Sequence, residues 1–320
     1  MTIVTGTVLT FSAVGNREDL TDDIYNISPV DTPFMGNIGN VKASATRHDW
    51  QLDTLAAAAA NAKLEGDDYT YATPAFTSKL SNYTQISYKT LVVSKTQDAV
   101  NKGGRKLEFV YQIMKRSKEL KRDMEFNLTN NQTPVGSGAN STTARALVSA
   151  PSWFTTNKSR GASGADATGA SGNAPTTAAT DGTQRALNEG LMKSMLQGAW
   201  TSGGDVDLIM CGPFNKTVIS SFAGNVTRTD NMSGDKKLTT AIDIYVSDFG
   251  THRIVANRFS RDRDLLMLTT DLWAVATLRQ MQTQDVAATG DATKGAVIVE
   301  YTLESRNEAG SAIVADLTTS

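Results

Sequence analysis

Catalysis and metal binding need titratable side chains that converge, and this sequence supplies few of them. Its 320 residues include two histidines, His48 and His252, and one cysteine, Cys211. Structural zinc takes four ligands at short, recognisable spacings. Neither histidine has a second His, Cys or carboxylate in such a pattern, so each is expected to be a surface residue or one satisfied by hydrogen bonds. A lone cysteine allows no internal disulfide. Cys211 ends the apolar run Leu208-Ile209-Met210-Cys211, where a small buried hydrophobe is expected rather than a reactive thiol.

The carboxylates give two closer candidates. Asp205 and Asp207 lie two apart, as do Asp262 and Asp264. The first pair lacks a third ligand nearby and reads as the polar start of a strand. The second alternates with Arg261 and Arg263 and reads as a solvated, self-neutralising charge run. Asp248-Phe249-Gly250 matches the magnesium-binding triplet of protein kinases, but neither the catalytic-loop motif nor the glycine-rich loop precedes it. A hairpin turn is the expected role. Gly103-Gly104 and Gly203-Gly204 flank helices without the dinucleotide fingerprint, and G-x-S-x-G, H-E-x-x-H and G-K-[ST] are absent. The four tryptophans, Trp50, Trp153, Trp200 and Trp273, are scattered. No catalytic residue, cofactor site or metal site is expected.

The bulk numbers narrow the class. With 40% apolar and 20% charged residues the chain can bury a core, unlike a disordered polymer. Its formal charge is -2, without the basic excess of a specific nucleic-acid binder. Contact with DNA is expected to be weak and non-specific. No basic stretch followed by an apolar run opens the sequence, and no window reaches the ~18 apolar residues of a membrane span. The expectation is a protein made in cytoplasm, with no membrane partner.

The elements that would position any site follow an unusual order. The first forty residues are polar and irregular up to Ser28-Pro29-Val30-Asp31-Thr32-Pro33-Phe34-Met35-Gly36, where prolines and glycines deny a long helix or central strand. This predicts an arm, pinned by Ile27, Val30, Phe34, Met35 and Ile38. From 41 to 93 the pattern alternates: Thr46, His48, Trp50 and Leu52 share a face. A small-residue run and the turn signal Glu65-Gly66-Asp67-Asp68 follow, and Tyr83, Gln85, Ser87 and Tyr88 lead back to Leu91-Val92-Val93. A long hairpin is predicted, too poor in apolar residues to be a core and marginal without neighbours.

Between about Arg105 and Asn131 the period becomes helical, through Leu107, Val110, Tyr111, Met114, Met124 and Leu128. Lys115 with Glu119 and Lys121 with Glu125 are expected as i,i+4 pairs. At ~1.5 Å per residue the helix would run roughly 40 Å, like a spine. Asn157 to Thr183 is nearly all Gly, Ala, Ser, Thr, Asn and Asp, and is expected to be an exposed, mobile insertion. A compact α/β lobe follows to about residue 263: a helix through Leu187–Trp200, a strand through Val206–Met210, a helix through Phe214–Phe222 and a strand pair around Ser247-Asp248-Phe249-Gly250. The remainder is strand-rich, with Val297, Val299, Tyr301 and Leu303 on one face.

This order of elements resembles the tailed-phage major capsid fold. Three stretches narrow the likeness to phage major head proteins: Asp31-Thr32-Pro33-Phe34-Met35, Leu80-Ser81-Asn82-Tyr83-Thr84-Gln85-Ile86 and Leu303-Glu304-Ser305-Arg306-Asn307. The resemblance implies an α+β fold with an N-terminal arm (1–40), an extended loop (41–90) lapping an adjacent subunit, a peripheral domain with the spine helix (91–156 and 264–320), the insertion (157–183) and an axial domain (184–263). It implies a structural protein that self-assembles as hexamers and pentamers into an icosahedral shell around double-stranded DNA, bound without sequence specificity. Portal, scaffolding and decoration proteins would be further partners, and the place would be the virion capsid, assembled in the host cytoplasm. The residues singled out for assembly are Asp31, Thr32, Pro33, Phe34, Trp50, Asn82, Tyr83, Gln85, Arg306 and Asn307.

Three other readings stand beside it. An encapsulin-type compartment shares the fold but encloses enzyme cargo. A minor decoration protein would join preformed shells. A soluble enzyme would need a deep polar pocket, and the projecting hairpin argues against one.

Overall fold

A computed structural model describes residues 28–69, 71, 73–74, 76–101, 106–136, 142–169, 175–222 and 243–320. Expectations for the arm before Ser28 (Ile27 included), for Gly103-Gly104 and for part of the 157–183 insertion lie outside the described residues. So does Ile242.

Helix α1 (Pro33–Asn37) is short, opened by a proline whose fixed φ suits a first helical turn. Strand β1 (Gly39–Lys42) follows, then β2 (Arg47–Leu52), β3 (Ser78–Tyr83) and β4 (Gln85–Ser94). After the single turn α2 (Lys95–Ala99) comes the spine, α3 (Glu108–Thr129), 22 residues and so about 33 Å long. Leu120, Met124 and Leu128 recur every fourth residue and are all buried, because that spacing returns to one helical face. Helix α4 (Ala150–Trp153) and strand β5 (Lys158–Ser159) lead to α5 (Glu189–Thr201), β6 (Leu208–Cys211), α6 (Pro213–Ser220), β7 (Ile244–Ser247) and β8 (Gly250–Ala256). Strands β9 (Leu265–Leu268), β10 (Trp273–Val286), β11 (Ala292–Ser305) and β12 (Ala312–Val314) complete the chain.

These strands form three sheets, ordered β1-β10-β11-β4, β5-β12-β9-β6-β8-β7 and β2-β3. In the first, β10 and β11 make a long antiparallel hairpin and β4 pairs with β11 along its length. Its buried face, with Leu91, Val297, Val299 and Tyr301, receives the spine helix. In the second, β6 and β9 are wholly buried. Leu208, Met210, Leu266 and Leu268 face the spine side, whereas Ile209, Cys211, Leu265 and Met267 face α5 and α6. A sheet covered on both faces explains why these strands read as unbroken apolar runs.

Four expectations change. The return arm of the hairpin is Ser78–Tyr83, not the stretch to Val93. At Thr84 the chain leaves the hairpin, and β4 enters the four-stranded sheet. Glu119 pairs with Arg116, one turn back rather than with Lys115, and Glu125 turns into the core instead of toward Lys121. Strands β9 and β12, grouped from sequence with β10 and β11, hydrogen-bond into the sheet of β6 and β8. The described part of the 157–183 segment is anchored, not loose. Asp316 accepts the backbone N–H groups of Gly161 and Gly182 at 3.0 and 2.9 Å and an Arg263 guanidinium N–H at 2.7 Å. A β-carbon on Gly161 would lie 2.0 Å from the Thr183 carbonyl oxygen, so only glycine permits this approach. One carboxylate from the far end of the chain supplies what composition could not reveal.

Candidate assembly surfaces

Two of the three sequence stretches that carried the resemblance come together in the fold. The second and third meet at the root of the hairpin. Asn82, 1% exposed, donates from its amide to the carbonyls of Val148 and Leu303 at 3.2 and 2.7 Å, and its oxygen accepts the N–H of Val148 at 2.9 Å. Tyr83 lays its ring against Gly136, where a β-carbon would come within 2.9 Å of the ring. The Gln85 oxygen accepts from the Gln132 side chain at 2.7 Å and from the Leu147 N–H. On the other arm, the Trp50 indole donates to the Ser305 carbonyl at 2.8 Å, and His48 donates to Glu304 at 2.9 Å. Arg306 holds the other Glu304 oxygen at 3.0 Å. The bond from His48 and that from Arg306 keep the Glu304 carboxyl below its ordinary range despite partial burial. Asn307 is exposed and accepts the N–H of Ala309, capping a short turn.

The first stretch lies elsewhere, on the spine. Glu125 is fully buried and accepts the N–H of Phe34 at 2.6 Å, the N–H of Met35 at 3.0 Å and the Asn257 amide at 2.6 Å. Burial pushes its pKa up, opposed by those three donors. One carboxylate thus ties the end of the arm, the spine helix and the segment after β8. Pro33 starts α1, Phe34 is 0% exposed in the core, Thr32 accepts the Gly36 N–H through its carbonyl, and Asp31 is exposed.

Sequence reasoning missed Glu125, Glu300, Asp316 and Asp264. Glu300 accepts from Thr84, Arg145 and Arg279 at 2.9, 2.6 and 2.8 Å. The partners of Glu125, Glu300 and Asp316 sit tens to hundreds of residues away, so no local spacing marks them. Asp264 also corrects the view of 261–264 as a solvated run: it is 3% exposed, and burial raises its pKa to about 6. Arg261 lies 3.2 Å from Asp264 and also bonds Asp181, while Arg263 bonds Asp181 and Asp316.

The candidates for chemistry resolve into structural roles. His252 is buried between the Ser247 hydroxyl and the Val206 carbonyl, each at 2.6 Å. Asp248-Phe249 forms the β7–β8 turn, with Gly250 at φ +140. Asp207 accepts the N–H and hydroxyl of Thr270. Burial drives the Cys211 thiol to about 12, far from a reactive thiolate.

What remains unsatisfied is surface. On the hairpin beyond β2 and β3, Leu55, Leu64, Tyr69, Tyr71 and Phe76 are 82–98% exposed. Several large apolar groups left this exposed on one loop are the kind of surface a partner covers.

The fold is the α+β tailed-phage major capsid fold. A chain of the cyanophage A-1(L) capsid asymmetric unit superposes with a TM-score of 0.67 at 16% identity, over 98% of this chain and 99% of that one. A chain of Mycobacterium phage Bobi gives 0.60 at 9% identity, covering 94% and 95%. The chain belongs to the SU10 major capsid protein family, whose model matches residues 3–318. The major capsid protein of Escherichia phage Phieco32 is 25% identical over 330 residues, covering 94% of each chain. The protein is therefore a structural component of a phage capsid shell and not an enzyme.

Proposed function

We propose that the subunit builds an icosahedral shell of hexamers and pentamers around double-stranded DNA, with the hairpin between β2 and β3 lapping an adjacent subunit. The observation that carries this reading is the hairpin itself. Its root is locked by Asn82, Trp50 and His48, while its large apolar side chains meet solvent. A rigidly rooted, uncovered projection gains stability only when a neighbour covers it, and head-to-tail contacts of that kind close into rings. Residues 1–40 serve as the arm, 91–156 with 264–320 as the peripheral domain and 184–263 as the axial domain at the symmetry axes. Residues 157–183 form the segment between them. Asp31, Thr32, Pro33 and Phe34 order the arm. Trp50, Asn82, Tyr83, Gln85 and Arg306 aim the hairpin, with Asn307 capping the turn that follows. Portal, scaffolding and decoration proteins complete the particle, which assembles in the host cytoplasm.

Electron microscopy of the protein expressed alone and with a scaffold tests this. Closed particles or rings of five and six are expected. A monomer that stays monomeric at high concentration in both preparations would overturn it. Particles loaded with enzyme cargo and devoid of DNA after infection would point to a compartment shell instead.

A further inference from the structure

Charged groups from distant stretches converge where the 157–183 segment meets the end of the chain. The Arg261 guanidinium bonds both oxygens of Asp181, at 2.6 and 2.7 Å, and its other terminal nitrogen lies 3.2 Å from Asp264. Arg263 bonds Asp181, the Gly182 carbonyl and Asp316 at 3.1, 2.7 and 2.7 Å. Asp316 closes the ring through the N–H groups of Gly161 and Gly182, from a backbone held at φ +61. The N–H groups of Thr180, Thr183 and Arg185 add bonds to the carbonyls of Ala165, Ala162 and Asp316, each at 2.8 Å.

Asp264 alone in this ring has no hydrogen-bond donor among the described residues, and it is 3% exposed. The other groups around it are engaged or neutral. Asp166 holds both Lys158 and Arg160, and Arg185 bonds the Ser159 hydroxyl. Asp262 is exposed on the same loop, and α6 presents only the amide of Asn215, bonded to the carbonyls of Asp262 and Thr318. With Asp264 protonated, the carboxylates of Asp181 and Asp316 face the guanidiniums of Arg261 and Arg263, two against two. Ionising Asp264 adds a third, buried carboxylate without a donor, which is costly until one is found. Arg261 is already beside it. Asp181 can be given up to water, because its side chain is 42% exposed.

We propose that Arg261 is a proton-controlled switch: with Asp264 protonated it holds Asp181 and clasps residues 179–184 to the end of the chain, and once Asp264 has given its proton to solvent it turns inward and releases them. Burial raises the Asp264 pKa to about 6, opposed by Arg261 and Arg160 and assisted by Asp181 and Asp316. The clasp is therefore closed at pH 5 and loosened at pH 7.5. Residues 179–184 lead through Arg185, which bridges to Leu317, into α5. The switch thus sets how firmly the entry to that helix is tied to the last strand.

Hydrogen exchange of the unassembled full chain at pH 5 and pH 7.5 tests this, with labelling times scaled to equal intrinsic rates. In the parent, amides of 179–184 should exchange at least about tenfold faster at pH 7.5, at times when β9 is still protected, as a local opening requires. Asp264→Asn should keep them slow at both pH values, and Asp181→Asn should make them fast at both. Equal protection of the parent at the two pH values would overturn the switch. So would an Asp264→Asn protein that keeps the parental response, or exchange of 179–184 only together with β9, which reports global unfolding. Should Asp264→Asn not fold, Asp181→Asn, altered at a solvent-facing side chain, decides: a parental pH response there refutes the proposal.

Discussion

The six-stranded sheet and the β2–β3 hairpin stand at opposite ends of self-sufficiency. In the sheet, β6 and β9 bury every residue, and side chains on both faces join a core. In the hairpin only the root is held, through His48, Trp50 and Asn82, while the side chains beyond it stay in solvent. The same chain therefore contains a region whose side chains are covered within one subunit and a region whose large apolar side chains are not. For a shell protein this division is useful. On the proposed reading, the sheet keeps the subunit folded before assembly, and the hairpin gains its contacts when a neighbour covers it.

The contrast is most sharply tested by truncation. Leu208→Ala, in the middle of the buried sheet, should cost about 2–5 kcal/mol, the usual range for a core Leu→Ala change, measured by urea unfolding of the unassembled subunit. A loss well under 1 kcal/mol would mean that the sheet is not the stabilising unit.

A second test uses pH. Asp264 lies in the same region, and neither carboxylate oxygen has a hydrogen-bond partner among the described residues. Arg261 stands 3.2 Å away without the alignment of a bond. Burial raises the pKa from 3.8 to about 6, so the folded state holds a proton that the unfolded chain releases. The stability supplied by this neutral carboxyl is full below the unfolded value and is lost as pH rises through the folded one. A shift of about two units corresponds to about 3 kcal/mol. Asp264→Asn should therefore match the parent near pH 4 and exceed it in stability near pH 7. Parallel curves for the two proteins would refute the assignment.

The smallest effect belongs to the hairpin. Tyr71→Ala and Phe76→Ala remove side chains that are 94% and 90% exposed, so unfolding of the isolated subunit should change by less than about 0.5 kcal/mol. Shell yield should nevertheless fall. A large loss of subunit stability would erase the distinction between the two regions.

Much of this molecule was written locally. The three- and four-residue steps from Leu107 to Leu128 marked the helix, although of its apolar positions Met124 and Leu128 are buried and Leu107, Val110 and Met114 are exposed. The alternation of His48, Trp50 and Leu52 and the apolar runs at 208–211 and 265–268 marked hairpin and buried strands, because side-chain direction repeats within a few residues. The turn at Asp248-Phe249 was equally legible. What only the tertiary structure decided was the fate of the charged groups. Glu125 looked like a surface partner of Lys121 and instead holds the arm. Asp264 looked solvated and is buried. Asp316 organises a segment that seemed too polar to order. A carboxylate's energy depends on the donors around it and on its distance from water. Those donors come from sequence positions far removed, and the chain brings them together only by folding.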